Sequence, residues 1–320
     1  MGICVGVDIG GTKIAASAVD GRGRVLHRAR RETPAQDPDL IARAVADVTE
    51  ELQRAVAADG GTVAALGAAC AGFIDKAGET VVFAPNLAWR DEPLKARLEE
   101  LVGLPVAIEN DANAAAWGEF RFGAARDVDD MLLLTLGTGV GGGVIVDSVP
   151  MRGAHGMAAE VGHMRVVPDG HRCGCGNKGC FEMYASGSAL VREARALVAG
   201  GSPHAGTLSD RCGGDPGRLT GQMVTEVAQE GDPAATELLE DVGRWTGEGA
   251  ASLAAVLDPA LIVLGGGVSA AGDLVLEPAR NAFARHLTGR GHRTIIPIVR
   301  AELGNAAGMI GAADLAAART

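Results

Sequence analysis

Val5–Asp20 reads VGVDIGGTKIAASAVD, and Leu132–Asp147 reads LLLTLGTGVGGGVIVD. The two stretches overlay without a gap. Each is an apolar strand, a turn opening on glycine (Gly10 and Gly137), and a second apolar strand closing on Val-Asp. A single strand–glycine–strand unit is common. An equivalence running the length of both strands reads as an internal duplication, and it predicts two similar domains facing one another. Glycine and threonine at the turns permit close backbone approach and present N–H groups and a hydroxyl, a combination suited to phosphate.

Outward from the first hairpin, RVLHRARRE (Arg24–Glu32) alternates like a more exposed strand. The period then changes. Ile41, Val45, Val48, Leu52 and Val56 share one helical face behind an N-cap at Asp37 or Asp39. VAALGAACAG (Val63–Gly72) and LPVAIEN (Leu104–Asn110) read as buried strands, with a short helix around Leu94–Leu101 between them. Strands alternating with helices predict the α/β class. The second hairpin contains G-x-G-x-x-G as Gly137, Gly139 and Gly142, but the glycines run into the strand GVIVD. A dinucleotide fingerprint needs a helix there, so a Rossmann dehydrogenase is a poor fit, and no Walker Gly-Lys-Ser/Thr is present. A third glycine cluster, in LIVLGGGVS (Leu261–Ser269), does precede a helical pattern, from about Leu274 to His286. It reads as a nucleotide contact at a strand end. Leu238, Leu239, Val242, Trp245 and Leu253 fit a long helix interrupted by glycines, TIIPIV (Thr294–Val299) reads as a late strand, and a last helix is expected from about Asn305 to Ala318.

The bulk properties narrow the function. The chain has 320 residues, 47% of them hydrophobic, and a formal net charge of −11 without a basic block. Disorder and a nucleic-acid partner held through phosphates are both disfavoured. The start shows no basic-then-apolar leader, and no apolar run approaches the ~20 residues that span a bilayer. A soluble cytoplasmic protein with no membrane partner is expected. Cys4 and Cys70 lie in apolar runs and read as core, and Cys212 has no assigned role. The other three of the six cysteines crowd into HRCGCGNKGCFE (His171–Glu182). In a reducing compartment, clustered thiols more often bind metal or take part in catalysis than form disulfides.

DIGGTK (Asp8–Lys13), ENDANAAA (Glu109–Ala116), EVGH (Glu160–His163) and CGCGNKGCFE (Cys173–Glu182) together resemble the ROK family of sugar kinases and sugar-responsive repressors. The motifs occur in that family's order, from the first strand to the last helix. Among its members they resemble bacterial ATP-dependent glucokinases. The resemblance implies a two-domain actin-like (hexokinase/Hsp70) ATPase fold. A smaller N-terminal domain would comprise residues 1–118 plus about 305–320, and a larger domain, 119–304, would carry the cysteine loop. It also implies phosphorylation of glucose to glucose 6-phosphate in carbohydrate metabolism (glycolysis), with glucose and ATP as partners, and a homodimer or homotetramer.

The resemblance assigns roles position by position. Asp8 would hold Mg²⁺ directly or through water, its alternative being a turn-forming residue. Gly10, Gly11, Thr12 and Lys13 would line the phosphates, Thr138 and Gly139 would close on them, and Gly266 and Gly267 would lie near the adenosine. Asp111 would be the general base for the sugar hydroxyl, its alternative being a helix N-cap. Cys173, Cys175, Cys180 and His163 would form a closed structural Zn²⁺ site, with His155 and His171 as lower-ranked ligands. Metal on one imidazole nitrogen would leave the other as a fixed donor to a sugar hydroxyl, and Asn86, Asn110, Glu160 and Glu182 would complete the sugar contacts. The alternatives are a kinase for another hexose or an N-acetylhexosamine, or a sugar-sensing regulator. Such regulators carry an N-terminal DNA-binding segment, for which a first strand starting at Ile3 leaves no room.

Overall fold

A computed structural model of the chain describes residues 2–34, 37–84, 87 and 89–318. The chain forms two compact units, Met1–Leu133 with Gly143–Ala159 and Ala301–Thr320, and Leu134–Gly142 with Glu160–Arg300.

The first unit holds a five-stranded sheet in the order Val25–Glu32, Lys13–Val19, Ile3–Ile9, Val63–Cys70, Val106–Asn110. The first three strands pair antiparallel, and the last two join in parallel. Alternation sends Val5, Val7 and Ile9 to one face, where the helix Pro38–Ala58 covers them with Ile41, Val45, Val48, Leu52 and Val56. Asp37 caps that helix, accepting from the N–H groups of Asp39 and Leu40. The helix Ala307–Ala317 packs on the opposite face. Gly6 and Gly67 let it reach the sheet backbone, since a Cβ there would sit 1.8 Å from the Met309 carbonyl oxygen or 1.9 Å from that of Ala312. Residues 119–133 group with this unit rather than with the second domain expected from sequence. The division after residue 118 would cut the helix Asp111–Phe122. The C-terminal return joins this unit from Ala301 rather than from about 305, and the fully buried Glu119 carboxylate ties the two segments together. That carboxylate accepts N–H groups from Ala124 (2.9 Å), Glu302 (3.1 Å) and Leu303 (2.8 Å).

A second five-stranded sheet runs Val149–Pro150, Val140–Val146, Met131–Leu136, Leu261–Gly265, Ile298–Arg300. Both sheets repeat one order: an edge strand, the second hairpin strand, the first hairpin strand, then two later strands. The overlaid hairpins match at three strand ends, Ile9 on Leu136, Lys13 on Val140 and Val19 on Val146, while the first strand starts one position earlier, at Ile3 against Met131. The late strand is shorter than TIIPIV and starts only at Ile298. Pro297 has no N–H to give a ladder, although its carbonyl receives Ile262 N–H at 3.0 Å. The glycines of the long helix Pro233–Leu257 are packing sites. A Cβ on Gly247 would lie 2.1 Å from the Ala279 carbonyl oxygen of the helix Asp273–His286. No described helix is long and apolar enough to cross a membrane.

Candidate active site

In the first unit, parallel register delivers the carboxylates. Asp8 pairs with Ala69 and Ala69 with Glu109, one row short of the row Ile9, Cys70, Asn110. Asp8 and Asp111 therefore lie at the carboxyl ends of parallel strands, where α/β sheets place ligands. Asn110 is the N-cap of the helix Asp111–Phe122, its Oδ1 accepting from Ala112 and Asn113 N–H and its Nδ2 donating to Gly72 O at 3.1 Å. Asp111 is thus the first helical residue rather than the cap. Its Oδ1 accepts the Ala112 N–H at 2.9 Å. Burial pushes the Asp111 carboxyl above the usual range, although backbone N–H groups, including that of Ala112, oppose the shift. A carboxylate raised in this way is a better proton acceptor near neutral pH.

Burial also pushes Asp8 up, to about 6, with the charge of Asp111 adding to the rise and Lys13 opposing it. Two mutually repelling, desolvated carboxylates are suited to a cation. The sign of the pH effect follows. Ionised Asp8 costs stability above about pH 6, and the cost disappears as pH falls toward the ordinary value of 3.8. Asp8→Asn is therefore expected to stabilise the ligand-free protein by about 2 kcal/mol at pH 8 and by nothing near pH 4, while removing activity. Thermal melts across that range check it, and a pH-independent difference would contradict the burial argument.

The first hairpin turn is braced from outside. Gly10 N–H donates to Lys13 O (3.0 Å), while Thr33 donates its hydroxyl to Gly10 O (2.6 Å) and its N–H to Thr12 O (3.1 Å). Gly11, Thr12 and Lys13 are exposed. Among the described residues nothing accepts the Gly11 and Thr12 N–H groups, which leaves them for an anion.

In the second unit, Gly137 N–H closes the matching turn on Gly139 O at 3.0 Å, and Gly187 N–H donates to Gly137 O at 2.7 Å. A cavity of about 1170 Å³ opens beside this turn, with Thr138, Gly187, Ser188, Thr220, Gln222 and Gly267 among its walls. It includes the N-terminus of the helix Gly187–Ala199, a favourable place for phosphate. Gly187, Ser188, Thr220 and Gln222 escaped the sequence reading, because small and polar residues at helix starts look like ordinary caps. Gly266 is not a wall of this cavity. It has φ +82, and a Cβ on it would lie 2.5 Å from the Leu136 carbonyl oxygen, so packing between strand ends accounts for this glycine. Gly139 is also outside the cavity walls, and a Cβ on it would meet Glu182 Oε2 at 2.4 Å.

The cysteine loop folds as a tight knuckle. The backbones of Arg172 and Lys178 pair antiparallel, and Cys173 N–H reaches Asn177 O at 2.9 Å. Gly179 is required, since a Cβ there would fall 1.6 Å from Val167 O. The knuckle and the turn Val161–His163 bring ligand atoms of His163, Cys173, Cys175 and Cys180 within 4.8 Å of one another. His155 and His171 are not in this group. Cys173 Sγ lies 3.6 Å from His163 Nδ1, and Cys175 Sγ lies 3.6 Å from Cys180 Sγ. Zn–S bonds of about 2.3 Å in a tetrahedron imply S···S edges of about 3.8 Å, so the donor set fits zinc in chemistry and spacing. Burial and the hydrogen bond to Glu182 push the Cys173 thiol up, and burial and Cys175 do the same at Cys180. At Cys175 burial is outweighed by hydrogen bonds from Asn177, Cys173 and Cys180, and the thiol is pushed down.

Nδ1 of His163 faces the sulfurs, while Nε2 lies 3.9 Å from Glu160 Oε2. Glu182 Oε1 is 2.9 Å from Cys173 Sγ and 3.7 Å from His163 Nδ1. Glu160 and Glu182 thus flank the His163 imidazole. Asn86 lies outside the described residues. Cys4 and Cys70 are buried in the first unit, and Cys212 is buried in the second.

A family model described as the ROK family matches residues 4–319. A glucokinase of Streptomyces coelicolor is 46% identical over 316 residues, covering 99% of this chain and 98% of that protein. A ROK family glucokinase from Streptomyces griseus, solved in complex with glucose and AMPPNP, is 48% identical. The match covers 99% of this chain and 100% of that one, with a TM-score of 0.89. A ROK hexokinase from Thermus thermophilus is 37% identical over 99% of this chain and 98% of that one, with a TM-score of 0.81.

Proposed function

This chain belongs to the ROK family, and from that premise we propose that it transfers the γ-phosphoryl group of ATP to glucose, yielding glucose 6-phosphate and ADP. The observation that supports this most directly is the half-buried Asp111 carboxylate just beyond a parallel-strand end. It lies in a chain alignable over 99% of its length with a glucokinase crystallised with glucose and AMPPNP.

Asp111 accepts the proton of the glucose 6-hydroxyl as that oxygen bonds to phosphorus and the bond to the ADP oxygen breaks. Asp8 would hold Mg²⁺, directly or through water, and Gly10, Gly11, Thr12 and Lys13 would contact phosphate oxygens. Thr138 and Gly139 present the second turn to the phosphates, and Gly267, with the cavity residues Thr220 and Gln222, contacts the nucleoside. When bound, Mg²⁺ supplies charge neutralisation on the phosphates. Cys173, Cys175, Cys180 and His163 Nδ1 would hold Zn²⁺, which supplies a rigid link between loop and imidazole. His163 Nε2–H is then a fixed donor to a sugar hydroxyl, with Glu160, Glu182, Asn110 and Asn86 as further hydroxyl partners. The proposal extends to a homodimer or homotetramer acting in the cytoplasm.

A panel of glucose, fructose, mannose, N-acetylglucosamine and N-acetylmannosamine with ATP·Mg²⁺, followed by ADP release, tests the substrate. Glucose is expected to give the highest kcat/KM, with about one zinc per chain by elemental analysis. Preference for an N-acetylhexosamine would overturn the assignment to glucose.

A further inference from the structure

Glu109 immediately precedes Asn110 and Asp111, and it is 5% exposed. Its two carboxylate oxygens have separate partners. Oε1 accepts the Asn110 N–H at 3.1 Å and the Asn113 side-chain amide at 3.4 Å, so it braces the passage from strand to helix. Oε2 takes two N–H groups of a single guanidinium, Arg152 Nε at 2.8 Å and Nη2 at 2.6 Å. Arg152 comes from 43 residues away in sequence. It follows the short strand Val149–Pro150, and Met151 N–H on Val144 O at 2.8 Å fixes its starting point. Among the described residues, Arg152 is the one cation paired with Glu109.

We propose that Arg152 is a positioning residue for phosphoryl transfer. By gripping Glu109 Oε2 it keeps Oε1 on the Asn110 N–H, and so keeps the Asp111 carboxylate aimed at its substrate. The inference rests on the reading of Asp111 as the base. A buried carboxylate deprived of its cation turns toward whatever water or donor it can reach. That rotation would take Oε1 off Asn110 and loosen the first turn of the helix that carries Asp111. A misplacement of about 1 Å at a reacting group costs up to about 100-fold in rate. Glu109 also puts a third negative charge near Asp8 and Asp111, since all three act on Cys70, and the guanidinium offsets it.

The test uses the full chain. Arg152→Met is expected to lower kcat by about 10- to 100-fold with little change in KM for ATP. Arg152→Lys, which keeps the charge but offers a single compact donor group, should show a smaller loss of the same kind. Glu109→Gln combined with Arg152→Met removes the unpaired charge and leaves an oxygen for Asn110 N–H, so it should regain most of the lost kcat. Active-site titration with glucose and thermal melts separate a kinetic defect from loss of folded protein. If Arg152→Met does not fold, Arg152→Lys and the double variant carry the test. Parental kcat per site in the Arg152 variants overturns the inference, as does a double variant whose defects simply add. If Asp111→Asn is inactive while the Arg152 variants behave as the parent, this inference alone falls. If Asp111→Asn turns over normally, the base assignment falls and takes this inference with it.

Discussion

Asp111→Asn is expected to bind glucose as the parent does and to phosphorylate it about 10²- to 10⁴-fold more slowly. The substitution is nearly isosteric. Asparagine Oδ1 can still accept the Ala112 N–H that Asp111 now takes at 2.9 Å, so the helix start is preserved. Asn110 remains the cap, bonded to Ala112 and Asn113 N–H. What disappears is the negative charge of Asp111 and, with it, the capacity to take a proton. The pH profile gives a second reading. A base must be ionised to work, so kcat/KM of the parent should fall as pH drops through the Asp111 value, which burial holds above the usual carboxylate range. The variant should lose that acid limb. Calorimetric glucose titration alongside ADP release measures both effects. Turnover within a few-fold of the parent would place the base elsewhere.

Stripping the metal, or replacing Cys180 by Ser, should weaken glucose binding by about 100-fold while changing nucleotide binding little. Cys180 is fully buried, and its sulfur lies 3.6 Å from that of Cys175. Without a central cation, three clustered thiols and one imidazole have nothing to hold them at one spacing. Cys173 would then keep its bonds to the Glu182 carboxylate, at 2.9 Å, and the Cys175 N–H, at 3.4 Å, and His163 would be free to turn. Two hydroxyl partners are disordered at once, and charge-assisted hydrogen bonds are each worth about 1.5–3 kcal/mol. The melting temperature should fall as well, because closed structural sites contribute directly to folding. Zinc content, glucose affinity and melting temperature are measured on one sample before and after chelation, then after zinc is restored. A metal-free protein with parental glucose affinity would separate the cysteine loop from sugar recognition.

Local pattern was legible wherever local forces dominate. The hairpin overlay placed strand ends at Ile9 and Leu136 and at Lys13 and Val140 in register, because alternation and a glycine turn are properties of neighbouring residues. The cysteine knuckle was readable for the same reason, since Cys173, Cys175 and Cys180 lie within eight residues on a glycine-rich turn. The helix Pro38–Ala58 followed from its five apolar positions and its Asp37 cap. Other features depend on remote partners. Gly266 packs on the Leu136 backbone, which its sequence neighbours do not show. Residues 119–133 join the first unit because Glu119 binds the N–H groups of Glu302 and Leu303.

By itself, then, the chain of residues determined the α/β alternation, the doubled hairpin, the candidate carboxylates and the thiol loop, all of which arise from periodicity and short-range turns. Only the tertiary structure decided that Arg152 grips Glu109, that Glu182 lies against Gly139, and that Thr220 and Gln222 share a cavity with Thr138. The reason is physical. A hydrogen bond or a steric fit depends on distances set by the packing of whole strands and helices, and residues more than 40 positions apart carry no local trace of that distance.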